Sequence, residues 1–207
     1  MSYADVHKCS DDWHIFTGDE IGTILASYVV EEYKKTGKPL SMFITFFFFL
    51  KKKKLFNQRK IIDKLAIVAS TVSSKMIGSM AKMEGFHFED TLTGFKYIGN
   101  KALELENEGY SVDLLYEEAI GYGISPFIRD KDGITAAIAF VRFAAHLKER
   151  SMTPYSHLQC LFNKYGHYHT RNDYFKCGDN NIKAKIFKQL REVKTVNRNI
   201  HLKIIVY

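Results

Sequence analysis

Cysteine is scarce in this chain of 207 residues: Cys9, Cys160 and Cys177 are the only three, an odd number with no CxxC pair and no Cys/His ligand spacing. That excludes a zinc ribbon and a disulfide scaffold, and points to a reducing, cytoplasmic compartment. No secretory signal is expected, because residues 1–12 are polar. A bilayer-length apolar run is missing too. The longest candidate, residues 40–50, has eleven residues before four lysines follow, whereas a spanning helix needs about 20. A membrane reading fails on length.

A broad basic surface is also lacking, despite a net charge of +7 from 30 basic and 23 acidic residues. Residues 51–60 hold six basic side chains and no acid, and residues 194–207 hold three and no acid, which leaves 21 basic against 23 acidic residues elsewhere. The body of the chain is near neutral and has no stripe of cations interleaved with stacking aromatics, so nucleic acid is excluded as a partner.

What is present is a chain 46% hydrophobic and 14% aromatic, long enough for one full domain and part of another. Residues 13–16 are a β-rich run, and Thr17-Gly18-Asp19-Glu20 is a cap signal for a helix carrying Ile21, Leu25, Tyr28 and Val29. The carboxylates of Asp19 and Glu20 suit the positive end of that helix. Residues 40–62, with four consecutive Phe and four consecutive Lys, match neither helical nor strand period and are expected to be a low-complexity insertion of non-coding origin. From residue 65 the pattern is regular: a buried strand over 65–71, then a helix from Met76 capped by Ser73 or Ser74, with Met76, Met80 and Met83 in the core. A strand over 86–89, a helix over 95–107, a strand over 112–116 and an apolar, buried helix over 133–149 capped by Asp132 follow. Four strands alternating with helices predict an α/β fold: a three-layer α/β/α domain with a mostly parallel, possibly mixed sheet in residues 1–150. Residues 151–193 are expected to be a linker helix, started by Thr153-Pro154, and the start of a further α+β domain; residues 194–207 stay unassigned.

Two loops carry chemistry. After the strand ending at Tyr116 come Glu117 and Glu118, then Gly121 and the run Arg129-Asp130-Lys131-Asp132-Gly133. Carboxylates beyond the carboxyl end of a strand in an open α/β sheet can accept bonds from hydroxyls, and Lys131 can answer a phosphate. Together they suit a phosphosugar. Equally open to the residues alone is a structural assignment, with Glu117 capping a helix, Glu118 solvated and DKDG an exposed turn. The second loop, Thr91-Leu92-Thr93-Gly94, opens a helix with hydroxyls and free N–H groups, an anion seat or simply an N-cap. His167 and His169, two apart with no third ligand, are read as ordinary surface residues.

YEEAIGY at residues 116–122 followed by DKDG, with STVSSKM at 70–76 and EDTLTGFKYIGN at 89–100 in the same order, resembles the α-D-phosphohexomutase superfamily, in its phosphoglucomutase/phosphopentomutase branch. The resemblance implies that residues 1–150 comprise the sugar-binding domain preceded by the end of the metal-binding domain. It further implies substrate-binding roles for Thr93, Gly94, Lys96, Glu117, Glu118, Ala119 and Lys131. Ala119 stands where many such mutases have serine, which fits the phosphopentomutase-like branch. The complete enzymes are monomers that move a phosphoryl group on hexose or pentose phosphates through a phosphoserine and a bisphosphate intermediate, with Mg2+. This chain has no TASHNP-type serine loop, DPDADR-type metal loop or RTSGTE-type phosphate clamp. It therefore offers no Mg2+ ligands and no catalytic residue of its own. Two expectations follow: a portion of such a mutase, or a stand-alone, non-catalytic module that binds phosphosugars or a partner.

Overall fold

The computed structural model describes residues 14–36, 62–124, 128–170 and 177–192. All of the predicted insertion except Ile62, and the whole of the tail at 194–207, lie outside the described residues. The chain divides into two compact units, Met1–Thr170 and Arg171–Tyr207.

In the first unit, α1 spans Gly18–Thr36. It starts where it does because Thr17 and Glu20 form a reciprocal cap: the Thr17 N–H donates to Glu20 Oε2 at 2.7 Å and the Glu20 N–H to Thr17 Oγ1 at 3.2 Å. Next come β1 (Leu65–Ser70), α2 (Met76–Glu84), β2 (His87–Thr91), α3 (Phe95–Asn107), β3 (Ser111–Glu117), β4 (Gly121–Gly123), α4 (Gly133–Glu149) and α5 (Pro154–Tyr165). Stops and starts follow local chemistry. Gly85 ends α2 at φ 87°. Asp132 Oδ1 accepts from the Ile134 N–H at the head of α4, and Thr153 and Ser156 form a second capping box before α5, with Pro154 at its first turn.

The sheet order is β2-β1-β3-β4; β1 pairs in parallel with β2 and β3, while β4 runs antiparallel to β3. Alternation along β1 sorts the core into two layers. Leu65, Ile67 and Ala69 join α1, α2, α4 and α5 on one face, with Leu25, Tyr28, Met80, Phe143 and Leu158; Ala66 and Val68 face α3 through Phe95, Ile98 and Leu105. The predicted three-layer α/β/α arrangement with a mixed sheet is thus observed.

Three expectations are corrected. The run ending at Phe16 gives no strand at His14, Ile15 or Phe16; the fourth strand is instead the three-residue β4, whose two glycines hide it from any periodicity. Helix α4 is not buried all round: Ala136, Ala139, Phe143 and Leu147 face the core, but Ile134 (75% exposed), Ile138 (50%) and Val141 (68%) lie on the opposite side. Met83 is exposed, so the methionine stripe of α2 contributes only Met76 and Met80 to the core. Past residue 150 the first unit continues, since Leu158, Leu161 and Tyr165 of α5 are buried in the same core.

The second unit contains α6, Asn180–Glu192.

Candidate functional site

Parallel pairing puts the carboxyl ends of β1, β2 and β3 on one edge, with Ser70 beside Thr91 and Ala69 beside Tyr116. Every loop named from the sequence therefore opens on that edge, where an open α/β sheet presents its ligand crevice.

The β3–β4 connection is a tight hairpin, with Tyr116 opposite Tyr122 and Glu117 opposite Gly121. Closing it in three residues requires a left-handed position, which Ile120 takes at φ 63° while its side chain stands 71% exposed. Ala119 is exposed beside it at the tip. Gly121 has no room for a side chain: a Cβ would lie 2.7 Å from Glu117 Cγ and 2.9 Å from the Phe95 ring. Glycine there lets Glu117 lie close against the start of α3. Partial burial pushes the Glu117 carboxyl above its ordinary range; the Lys131 charge opposes this, and the Glu118 and Asp130 charges reinforce it.

Lys131 reaches this spot because residues 129–132 run back alongside β4, the Asp132 N–H donating to the Tyr122 carbonyl at 2.8 Å. Its Nζ lies 5.2 Å from the Phe95 ring centre and 3.2 Å from Asp130 Oδ1. Lys131 thus lies over the Phe95 ring, Gly121 packs between that ring and Glu117, and the Lys131 charge is felt at the Glu117 carboxyl.

At the β2–α3 turn Gly94 adopts φ 117°, ψ 131°, open only to glycine, and starts α3 without a side-chain cap. Thr93 Oγ1 is buried with no hydrogen-bond partner, a state that costs about 1–3 kcal/mol unless something else satisfies it. Lys96 is exposed, its Nζ 4.9 Å above the Tyr97 ring.

Glu118 behaves differently from its neighbour. Its Oε2 accepts from Ser70 Oγ at 2.9 Å and lies 3.3 Å from Ser73 Oγ, and its backbone N–H donates to Ser73 Oγ at 3.1 Å. Above it sits the first turn of α1. The Tyr122 hydroxyl donates to the Gly18 carbonyl at 2.8 Å, and the Ser74 N–H donates to Asp19 Oδ1 at 2.8 Å. Thr170 donates its hydroxyl to Asp19 Oδ2. Burial raises the Asp19 pKa against the pull of those bonds. Asp19 is therefore a tie between loops, beyond the helix-end role expected of it, and Ser74 rather than Ser73 serves α2, its Oγ accepting from the Met76 N–H at 3.3 Å.

Sequence reasoning gave Gly18, Ser70, Ser73, Phe95 and Tyr122 no part in the site; Ser73 stood there only as a candidate helix cap. The serines stood inside a noted motif, but their partner lies 45 and 48 residues away, and no local pattern reveals it.

The region over residues 17–165 matches the family model for phosphoglucomutase/phosphomannomutase, alpha/beta/alpha domain III. The chain belongs to this phosphosugar mutase family. Among relatives, it is 39% identical to a Schizosaccharomyces pombe protein described as a probable phosphoribomutase, over 93% of this chain and 29% of that one. It is 34% identical to the phosphopentomutase of Homo sapiens (88% and 27%) and 30% identical to the Homo sapiens glucose 1,6-bisphosphate synthase (86% and 26%). A solved Thermus thermophilus structure described as a phosphomannomutase shares the fold, with TM-score 0.50 at 16% identity over 73% of this chain and 26% of that one. The chain therefore spans less than a third of the length of the relatives it matches.

Proposed function

We propose that this chain is the sugar-binding portion of a phosphopentomutase- or phosphoglucomutase-type enzyme, recognising hexose or pentose phosphates during intramolecular phosphoryl transfer through a bisphosphate intermediate, in cytoplasmic carbohydrate metabolism. The observation that supports it is the Lys131 charge acting on the Glu117 carboxyl, with Lys131 over the Phe95 ring at the start of α3, on the edge that also carries the unpartnered Thr93 hydroxyl. A carboxylate accepts from sugar hydroxyls, a lysine answers a phosphate, and a buried threonine hydroxyl gains a partner when a sugar arrives. Gly94 contributes backbone N–H groups at the head of α3, Ala119 leaves room at the hairpin tip, and Lys96 adds positive charge outside. Glu118 supports the loop from behind. No helix among the described residues is long and apolar enough to cross a membrane.

Magnesium and the phosphoserine are assigned, by resemblance, to portions of a complete mutase outside this match. Among the described residues no three His, Cys, Asp or Glu side chains cluster as metal ligands.

The test is titration of the chain with ribose 5-phosphate and glucose 6-phosphate, followed by two-dimensional NMR. Shifts at residues 93–96, 117–121 and 131 are expected, with affinity reduced about tenfold or more in Glu117→Gln and Lys131→Ala. Shifts with neither sugar phosphate would overturn the reading.

A further inference from the structure

The buried serines behind the hairpin form a closed circuit on one residue. The Glu118 N–H donates to Ser73 Oγ at 3.1 Å; Ser73 Oγ lies 2.6 Å from Ser70 Oγ; and Ser70 Oγ donates to Glu118 Oε2 at 2.9 Å. Each hydroxyl has one proton to give and can also accept; with Ser70 donating to the carboxylate the ring runs amide to Ser73, Ser73 to Ser70, Ser70 to carboxylate, and Ser73 Oγ also lies 3.3 Å from Glu118 Oε2. Ser70 and Ser73 are 0% and 3% exposed, so water does not compete for these bonds. The circuit fixes the backbone and the side chain of Glu118 at once, and Glu118 is the residue next to Glu117.

The obvious structural role for Ser73, capping α2, is not the one it plays. Lys75 is the cap residue of α2 and makes no side-chain cap bond, and the Met76 N–H is served by Ser74. The hydroxyl of Ser73 is buried, with its partners on Ser70 and Glu118.

We propose that Ser73 is a positioning residue for the sugar-binding loop: through the Ser70–Ser73–Glu118 ring it holds residue 118 so that Glu117 is presented toward Phe95 and Lys131. This rests on the phosphosugar reading above. The adjacent acids then divide the labour, Glu117 meeting the ligand and Glu118 holding the loop that presents it. Preorganisation of this kind lowers the ordering cost of binding and leaves global packing nearly untouched.

The experiment is residue-resolved amide hydrogen exchange on the 207-residue chain, paired with ribose 5-phosphate affinity, for wild type, Ser73→Ala, Ser73→Thr and the remote control Ser79→Ala. Ser73→Ala is expected to speed exchange at the Glu118 amide at least about tenfold and to weaken ribose 5-phosphate about tenfold, the scale of one buried hydrogen bond. Ser73→Thr, which keeps the hydroxyl, restores both readouts, and Ser79→Ala changes neither. Unchanged exchange at Glu118 in Ser73→Ala overturns the ring, and faster exchange with unchanged affinity overturns the positioning role. Should Ser73→Ala not fold, Ser73→Cys replaces the hydroxyl by a weak acceptor and is read identically. If the wild-type chain binds no ribose 5-phosphate, the phosphosugar reading and the positioning role fall together, and exchange at Glu118 still decides whether the ring exists.

Discussion

Gly18 rests directly on the backbone of Glu118: a Cβ at residue 18 would overlap the Glu118 carbonyl oxygen. Backbone, unlike the end of a long side chain, cannot swing aside. Gly18→Ala is therefore expected to cost about 2 kcal/mol despite alanine's better helix propensity. The midpoint of thermal unfolding should fall by about 4–8 °C, and resonances of residues 117–122 should move with it.

Ile120 stores strain in the same hairpin. A β-branched residue at φ 63° is unfavourable, and with its side chain mostly in water it recovers little by burial. Ile120→Asn, which tolerates the left-handed region, should raise stability by about 1 kcal/mol. Urea unfolding with an unchanged slope and a higher midpoint checks this; a lower midpoint would refute it.

Gly94→Ala places a side chain where φ 117° excludes one. The first turn of α3 has to shift to accommodate it, at a cost of about 1–3 kcal/mol. Because Thr93 precedes it, sugar-phosphate affinity should fall further than stability alone accounts for, which calorimetric titration at a temperature well below unfolding will show.

Glu84 joins three helices by accepting from Lys34 on α1 and from Lys164 and Tyr165 on α5. Burial pushes its pKa up, but bonds from Lys164, Lys34 and Tyr165 outweigh it and bring the carboxyl down to about 2. A folded-state pKa below the unfolded one gives stability that is full above pH of about 4.5 and is lost as pH falls toward about 2. Glu84→Gln should therefore lower stability by about 2 kcal/mol at pH 7, with the gap to wild type closing across that acid window in denaturant titrations.

Helix α4 shows an apolar face to solvent through Ile134, Ile138 and Val141. Such a stripe favours self-association of the isolated chain. Ile138→Lys with Val141→Lys should change unfolding free energy by no more than about 0.5 kcal/mol per site while shifting sedimentation at high concentration toward a single slow species.

How far the sequence foretold this arrangement depends on whether a feature is local. Caps at Asp132 and Thr153, the α3 and α4 spans and the burial of β1 follow from neighbours within a few residues, and all of these are seen. Alternation sorts Leu65, Ile67 and Ala69 from Ala66 and Val68, but it fails for β4, where three residues hold too little pattern. The apolar circumference of α4 was legible; that only one side meets the core was not, because composition does not reveal which side has a partner. For the candidate site, Glu117, Lys131, Thr93 and Gly94 were legible as residue types after strands. The support given by Gly18, Ser70, Ser73 and Tyr122 was not, since each acts across a long stretch of chain.

That long reach sets the order of events in folding. Gly18 and Tyr122 are 104 residues apart, so the roof over the hairpin closes only after a loop of that size is pinned, a high-contact-order step that slows the search. Closure entropy grows with the logarithm of loop length, about 0.6 kcal/mol for each doubling. Length added between those two residues therefore costs little in stability, and its toll falls on the folding rate.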